Sequence, residues 1–176
     1  MIPLDYWRSD LLIYCDLIGA NSFVEWVRSH PDASFYDLWE EAIDPDWFTY
    51  LAIAGGATKE QLVFAGCAVA RLCLHLIPEG DDRPRIAIET AEKWCRGEAT
   101  AEQVKDARNL IPLESKYEVY YWGSTTNFNQ ARTVILYALR AGIYSQLICA
   151  TLRKYLPFER PPRPKGLTVW QRLAKD

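Results

Sequence analysis

Helix-starting signals recur along this chain, and they constrain its fold more than any other feature. Thr58-Lys59-Glu60-Gln61 and Thr100-Ala101-Glu102-Gln103 are capping boxes: hydroxyl and amide side chains satisfy backbone N–H groups that a helix start leaves open. Ser34-Phe35-Tyr36-Asp37 has the same form, with Asp in the usual Glu place. Asp44-Pro45 and Asp82-Arg83-Pro84 each set Pro just inside a helix start. Stop signals follow at Gly19, His30-Pro31, Gly55-Gly56, Pro78 and Gly97. Between starts and stops, apolar residues recur at helical spacing. This predicts helices over 5–18, 22–30, 35–42, 47–54, 59–77, 83–96, 101–110 and 127–155. Residues 111–126 are ambiguous. Glu118-Val119-Tyr120-Tyr121-Trp122 fits a strand on β-propensity and a helix on context, and helix is favoured. No alternating strand runs or hairpin signals occur. The expectation is an all-α fold, a single compact multi-helix bundle of seven or eight helices.

The helix predicted over 59–77 is apolar on most faces, as a central core helix is. Arg71 is its one internal charge, so Arg71 either snorkels or meets a buried acid. After residue 156 the character changes. Residues 157–166 hold four Pro and little to bury. They read as a Pro-rich C-terminal arm over 157–176, attached to a helical domain over 1–156. Leu167, Val169, Trp170 and Leu173 suit a short docking helix at the end of that arm. The arm either folds back on its own core or reaches a second copy to form a homodimer.

The length of 176 residues suits one domain, and 49% hydrophobic with 24% charged residues excludes global disorder. No run approaches the ~18 apolar residues of a membrane helix. The opening MIPLDYWRSD places acids where an export leader carries bases, so a cytoplasmic protein is expected.

The net charge of −3 hides a division. Residues 1–70 carry 11 acids against Arg8, Arg28 and Lys59. Residues 71–152 balance, and residues 153–176 carry 7 bases against 2 acids. Asp37, Glu40, Glu41, Asp44 and Asp46 follow one another with no base among them. One reading is a solvated face with helix-start acids. The other is a patch for a basic partner, with Trp39 as an aromatic contact. Trp7, Tyr36 and Tyr50 join it on that reading, and are core on the first.

Five cysteines, Cys15, Cys67, Cys73, Cys95 and Cys149, lie in apolar helical contexts with no CxxC among them. Buried thiols in a reducing compartment fit better than a disulfide framework, and zinc spacing is absent. His30 precedes Pro31 at a helix end, where its charge suits the C-terminal dipole. His75 reads as a partly buried structural residue. No P-loop, GxGxxG, GxSxG or HExxH is present, so no enzyme, cofactor or metal is expected. Asp81, Asp82 and His75 are the best candidates should there be a reaction.

Residues 58–107 resemble an immunity protein family of bacteria and phages, of the Imm-5-like kind. The likeness lies in Gln61–Arg71, in Gly80-Asp81-Asp82-Arg83-Pro84-Arg85-Ile86-Ala87-Ile88-Glu89, and in Trp94-Cys95-Arg96-Gly97-Glu98-Ala99. Trp39 and Asp46-Trp47 are similar to its lead-in. The chain departs from the family after Arg108. An Ala-rich helix is usual there, whereas Lys116–Phe128 is aromatic and polar. The resemblance implies a helical protein that neutralises a toxin. The motif itself has two readings. As structure, Asp82 caps a helix, Arg83 and Arg85 reach acids on neighbouring helices or Glu89, and Trp94 fills the core. As function, Arg71, Asp81, Asp82, Arg83 and Arg85 line a polar pocket.

The function expected is a protein-binding inhibitor of a basic target, a toxin or a defence nuclease. The alternative is a phage-encoded anti-defence protein such as an anti-CRISPR protein. Nucleic-acid binding through Arg160, Arg163, Lys165, Arg172 and Lys175 is less favoured, because most of the chain repels phosphate.

Overall fold

The computed structural model describes residues 6–17, 19–112, 138 and 143–156. Among them are eight α-helices and one 3-10 turn, and no strand. The chain is therefore all-α over the described residues. Its helices are α1 (Tyr6–Leu17), α2 (Asn21–Ser29), α3 (Phe35–Glu41), α4 (Pro45–Ala54), α5 (Lys59–Arg71), α6 (Arg83–Cys95), α7 (Ala101–Asn109) and α8 (Ser145–Tyr155). None is long and apolar enough to cross a membrane.

All three capping boxes form. Ser34, Thr58 and Thr100 each accept the N–H three residues on, and Asp37, Gln61 and Gln103 answer the cap's own N–H. The Thr58 box starts α5, which supplies much of the core. Thr58→Ala is therefore expected to cost about 1 kcal/mol. A denaturant midpoint lowered at unchanged slope would show it.

Two helices end earlier or start later than their periodicity suggests. The apolar pattern after Thr58 continues to Ile77, but α5 stops at Arg71. Leu72 and Cys73 donate to Val69 and Ala70, three residues back, and a 3-10 turn follows at Leu74–Leu76. Pro78 forces Ile77 into extended backbone, and the preceding turns tighten to meet it. The helix predicted over 127–155 is broken at Tyr144, which is extended, and α8 begins at Ser145. Ala138, within that predicted span, is helical and buried; residues 127–137 and 139–142, the rest of the ambiguous stretch at 113–126, and the arm at 157–176 lie outside the described residues. At the end of α6, Gly97 has φ +75, and Glu98 N–H reaches back to Lys93 O at 2.9 Å. Glycine adopts that left-handed conformation without a Cβ penalty.

Within the 1–156 span, contacts sort the described residues into two units. The first takes those of Met1–Ala42 and Trp47–Ala57. Its core holds Leu11, Phe23, Val24, Val27, Phe35, Leu38, Phe48 and Leu51. Trp26 stacks on Trp47 with centroids 4.4 Å apart, and Phe23 meets Tyr50 at 5.0 Å. The second unit takes Ile43–Asp46 and the described residues of Thr58–Pro157. In it α5 packs against α6 and α8, and α6 against α7. Val63, Cys67, Val69, Ala87, Ile88, Ala91 and Ile148 are buried there.

Candidate functional site

The acidic segment 37–46 divides between the units. Asp37, Glu40 and Glu41 lie on α3 in the first, while Asp44 and Asp46 belong to the second. On α3 the sequence period sorts the residues cleanly. Phe35, Leu38 and Trp39 are buried, while Tyr36, Asp37, Glu40 and Glu41 are exposed. At 100° per residue these four exposed positions span one continuous stripe. The outward face of α3 thus presents one aromatic ring and three carboxylates.

Structural work accounts for part of this charge. Asp37 accepts the Ser34 backbone N–H at 2.7 Å in the capping box. That box, through the Ser34 side chain and then its backbone, holds the Asp37 carboxyl below its ordinary range. A lowered folded pKa means the stabilisation is complete above the unfolded value and fades as pH falls through the lowered one. Glu41 lies 3.6 Å from His30 Nε2, and His30 Nδ1 lies 2.8 Å from Trp26 O at the end of α2. Asp44 Oδ1 accepts the Asp46 N–H at 3.0 Å, an Asx-type bond at the start of α4. Asp44 and Asp46 are half-buried there.

Trp39 is a core residue and is corrected as a contact aromatic. It is 6% exposed, with Phe48 edge-on at 4.8 Å and Phe35 stacked at 6.5 Å. Tyr50, 4% exposed, is core as well. Tyr36 is the aromatic of this segment that remains available, at 42% exposure. The Trp7 side chain lies outside the described residues, as do Arg160, Arg163, Lys165 and Arg172 of the basic arm.

The polar motif resolves into three separate ion pairs. Arg83 makes a bidentate pair with Asp81, both bonds 2.8 Å. Arg85 pairs with Asp82 at 2.5 Å, not with Glu89 or with a neighbouring helix. Asp82 holds the N-cap position without a side-chain cap bond, and Asp81 accepts the Arg83 N–H instead, at 3.3 Å. The expected cap role therefore passes to the preceding Asp, because Arg85 takes the Asp82 carboxylate. Arg71 makes a bidentate pair with Glu92 through bonds of 2.7 and 2.8 Å. Glu92 is 15% exposed, so Arg71 has met a mostly buried acid, and that contact pushes its pKa up. Nine residues separate Arg83 from Glu92, about 13 Å along a helix axis. The five motif residues thus hold α6 at both ends.

The thiols are shielded. Burial pushes Cys67 well above its ordinary value, Cys73 to about 11 and Cys95 to about 12. His75 is exposed in the 3-10 turn, its Nδ1 2.9 Å from Leu72 O. Among the described residues no three His, Cys, Asp or Glu side chains gather as a metal site.

Arg8 carries a role that sequence reading missed. Its guanidinium donates to Val27 O at 3.1 Å, to His30 O at 2.8 Å and to Ala33 O, fastening α1 to the end of α2. Its signal was its setting: a rare base in the acidic third of the chain.

No family model, no curated protein and no solved structure matches this chain.

Proposed function

We propose that this chain is a non-enzymatic protein-binding inhibitor that engages a basic target through the outward face of α3. The observation that carries the reading is the pairing of exposed Tyr36 with Asp37, Glu40 and Glu41 on one helix stripe. Tyrosine supplies contact area at low entropic cost, and clustered carboxylates speed encounter with a positive surface. A nuclease is the target class that best fits. Its nucleic-acid groove is basic, and an acidic helix competes for it with phosphate. The immunity-protein resemblance implies a toxin as target, and a toxin that is a nuclease presents that chemistry. A defence nuclease blocked by a phage-encoded protein of the anti-CRISPR type presents it too, and the neighbouring genes would separate the two.

Capture from bacterial lysate, with the immobilised chain and its Glu40→Lys/Glu41→Lys variant, tests the reading. A basic protein should be retained at low salt, with roughly tenfold less recovered on the variant. Equal recovery on both, or no basic protein at any salt, contradicts it.

A further inference from the structure

We infer that Arg8 of α1 is a positioning residue for the α3 stripe: its guanidinium fixes the link between α2 and α3, so that Tyr36, Glu40 and Glu41 stand in one orientation before a basic partner arrives. The consequence for binding rests on the reading above, while the geometry stands without it.

α3 has seven residues, too few for a helix to hold itself in water. Its direction is therefore set by what anchors it. One anchor is its buried face of Phe35, Leu38 and Trp39. The other is its connection to α2, residues 30–34. There the His30 cap leaves helical geometry ahead of Pro31, and Ala33 N–H closes a turn on His30 O at 3.2 Å. Ser34 then caps α3.

Arg8 reaches this connection from outside it, 22 residues before His30. Nη1 donates to Val27 O at 3.1 Å and to His30 O at 2.8 Å. Nη2 donates to Ala33 O, the last carbonyl before the Ser34 cap. The three acceptors thus cover the end of α2, the start of the turn and the approach to α3. A planar fork bonded to all three fixes their separations, and with them the angle at which α3 leaves α2. Carbonyls at a helix C-terminus carry partial negative charge, so a cation suits the place. Arg8 is half-buried, which strengthens these bonds relative to water. His30 adds a second tie, with its Nε2 3.6 Å from Glu41 at the far end of α3. A stripe held in one orientation loses less freedom on binding, and the gain shows mainly as slower dissociation.

Amide hydrogen exchange of the full chain, wild type and Arg8→Lys, tests this without a partner. Lysine keeps the charge and loses the fork. Leu38 and Ala42 N–H, bonded to Ser34 O and Leu38 O, should exchange roughly tenfold faster in the variant. Gly55 N–H, bonded to Leu51 O at the end of α4 in the same unit, should change by less than about twofold. Equal acceleration at all three amides makes Arg8 a general stabiliser of the unit and overturns the inference, as does no acceleration at α3. Should the variant fail to fold, nuclear magnetic resonance of the wild type decides. Bonds to three carbonyls hinder rotation of the guanidinium, so the Arg8 Nη hydrogens should give separate signals, and a single averaged signal overturns the inference. In the lysate capture, Arg8→Lys should retain roughly fivefold less basic protein than wild type at the same net charge. Equal retention overturns the positioning role. A wild-type chain that retains no basic protein contradicts the binding reading instead, and the exchange result then still decides what Arg8 holds in place.

Discussion

Trp39→Ala is expected to destabilise the chain by about 3–5 kcal/mol, the cost typical of deleting a large buried aromatic. Trp39 sits at 6% exposure between Phe35 and Phe48. Removing the indole opens a cavity that these two rings fill only in part. The neighbouring rings also lose their edge-on and stacked contacts, worth about 0.5–1.5 kcal/mol per pair beyond area burial. Tyr36→Ala, about one turn away but on the exposed stripe, should shift stability by about 0.5 kcal/mol or less. Denaturant titration of the two variants separates core from surface. A contact role for Trp39 would show the reverse pattern, with stability intact and binding lost.

Glu92→Ala is the second large effect, expected at about 2 kcal/mol. Breaking a fully buried ion pair by removing one partner costs about 3–5 kcal/mol. Arg71 here is 38% exposed, so solvent screens part of the stranded charge and the cost falls below that range. The companion variant is Arg71→Met/Glu92→Leu, which removes both charges and keeps apolar bulk at the α5–α6 seam. It should recover most of the loss, because no unpaired charge remains. If the double variant is as unstable as Glu92→Ala, the pair contributes more than the cost of its own desolvation. Urea midpoints at fixed pH give both values.

Much of this architecture was legible in the residues, and the reasons are local. A capping box is a closed exchange of two hydrogen bonds within four residues. Thr58-Gln61, Thr100-Gln103 and Ser34-Asp37 could therefore be read without knowing what packs around them. The stops at Gly97 and His30 are local too. What failed was local periodicity extended past a boundary set by backbone geometry. Leu72, Leu74 and Leu76 keep an apolar pattern, yet Pro78 tightens the turns before it into 3-10 form. Likewise Ile143 and Leu147 bracket a break at Tyr144 that an apolar count does not register.

The candidate site was harder to read, because function and capping draw on the same residue types. Asp37 looks like a patch residue by charge and is a cap residue by geometry. Asp82 looks like a cap by position, but its carboxylate is taken by Arg85. Trp39 and Tyr36 are neighbours in type and in sequence. Only the phase of a seven-residue helix separates them, and a helix so short fixes its phase through packing in three dimensions. Glu92 as the partner of Arg71 depends on the α5–α6 register, a non-local quantity. The sequence could ask for a buried acid there without naming it.

On the proposed function, the exposed stripe of α3 meets a basic protein through Tyr36 and its carboxylates. The most direct measurement is the association rate of the chain with its captured partner, over about 0.05–0.5 M salt, for wild type and Glu40→Gln/Glu41→Gln. Electrostatic steering predicts a rate that falls steeply with salt in the wild type, a flatter dependence in the variant, and convergence of the two at high salt. The same salt slope in both chains would contradict the claim and place the contact surface elsewhere on the protein.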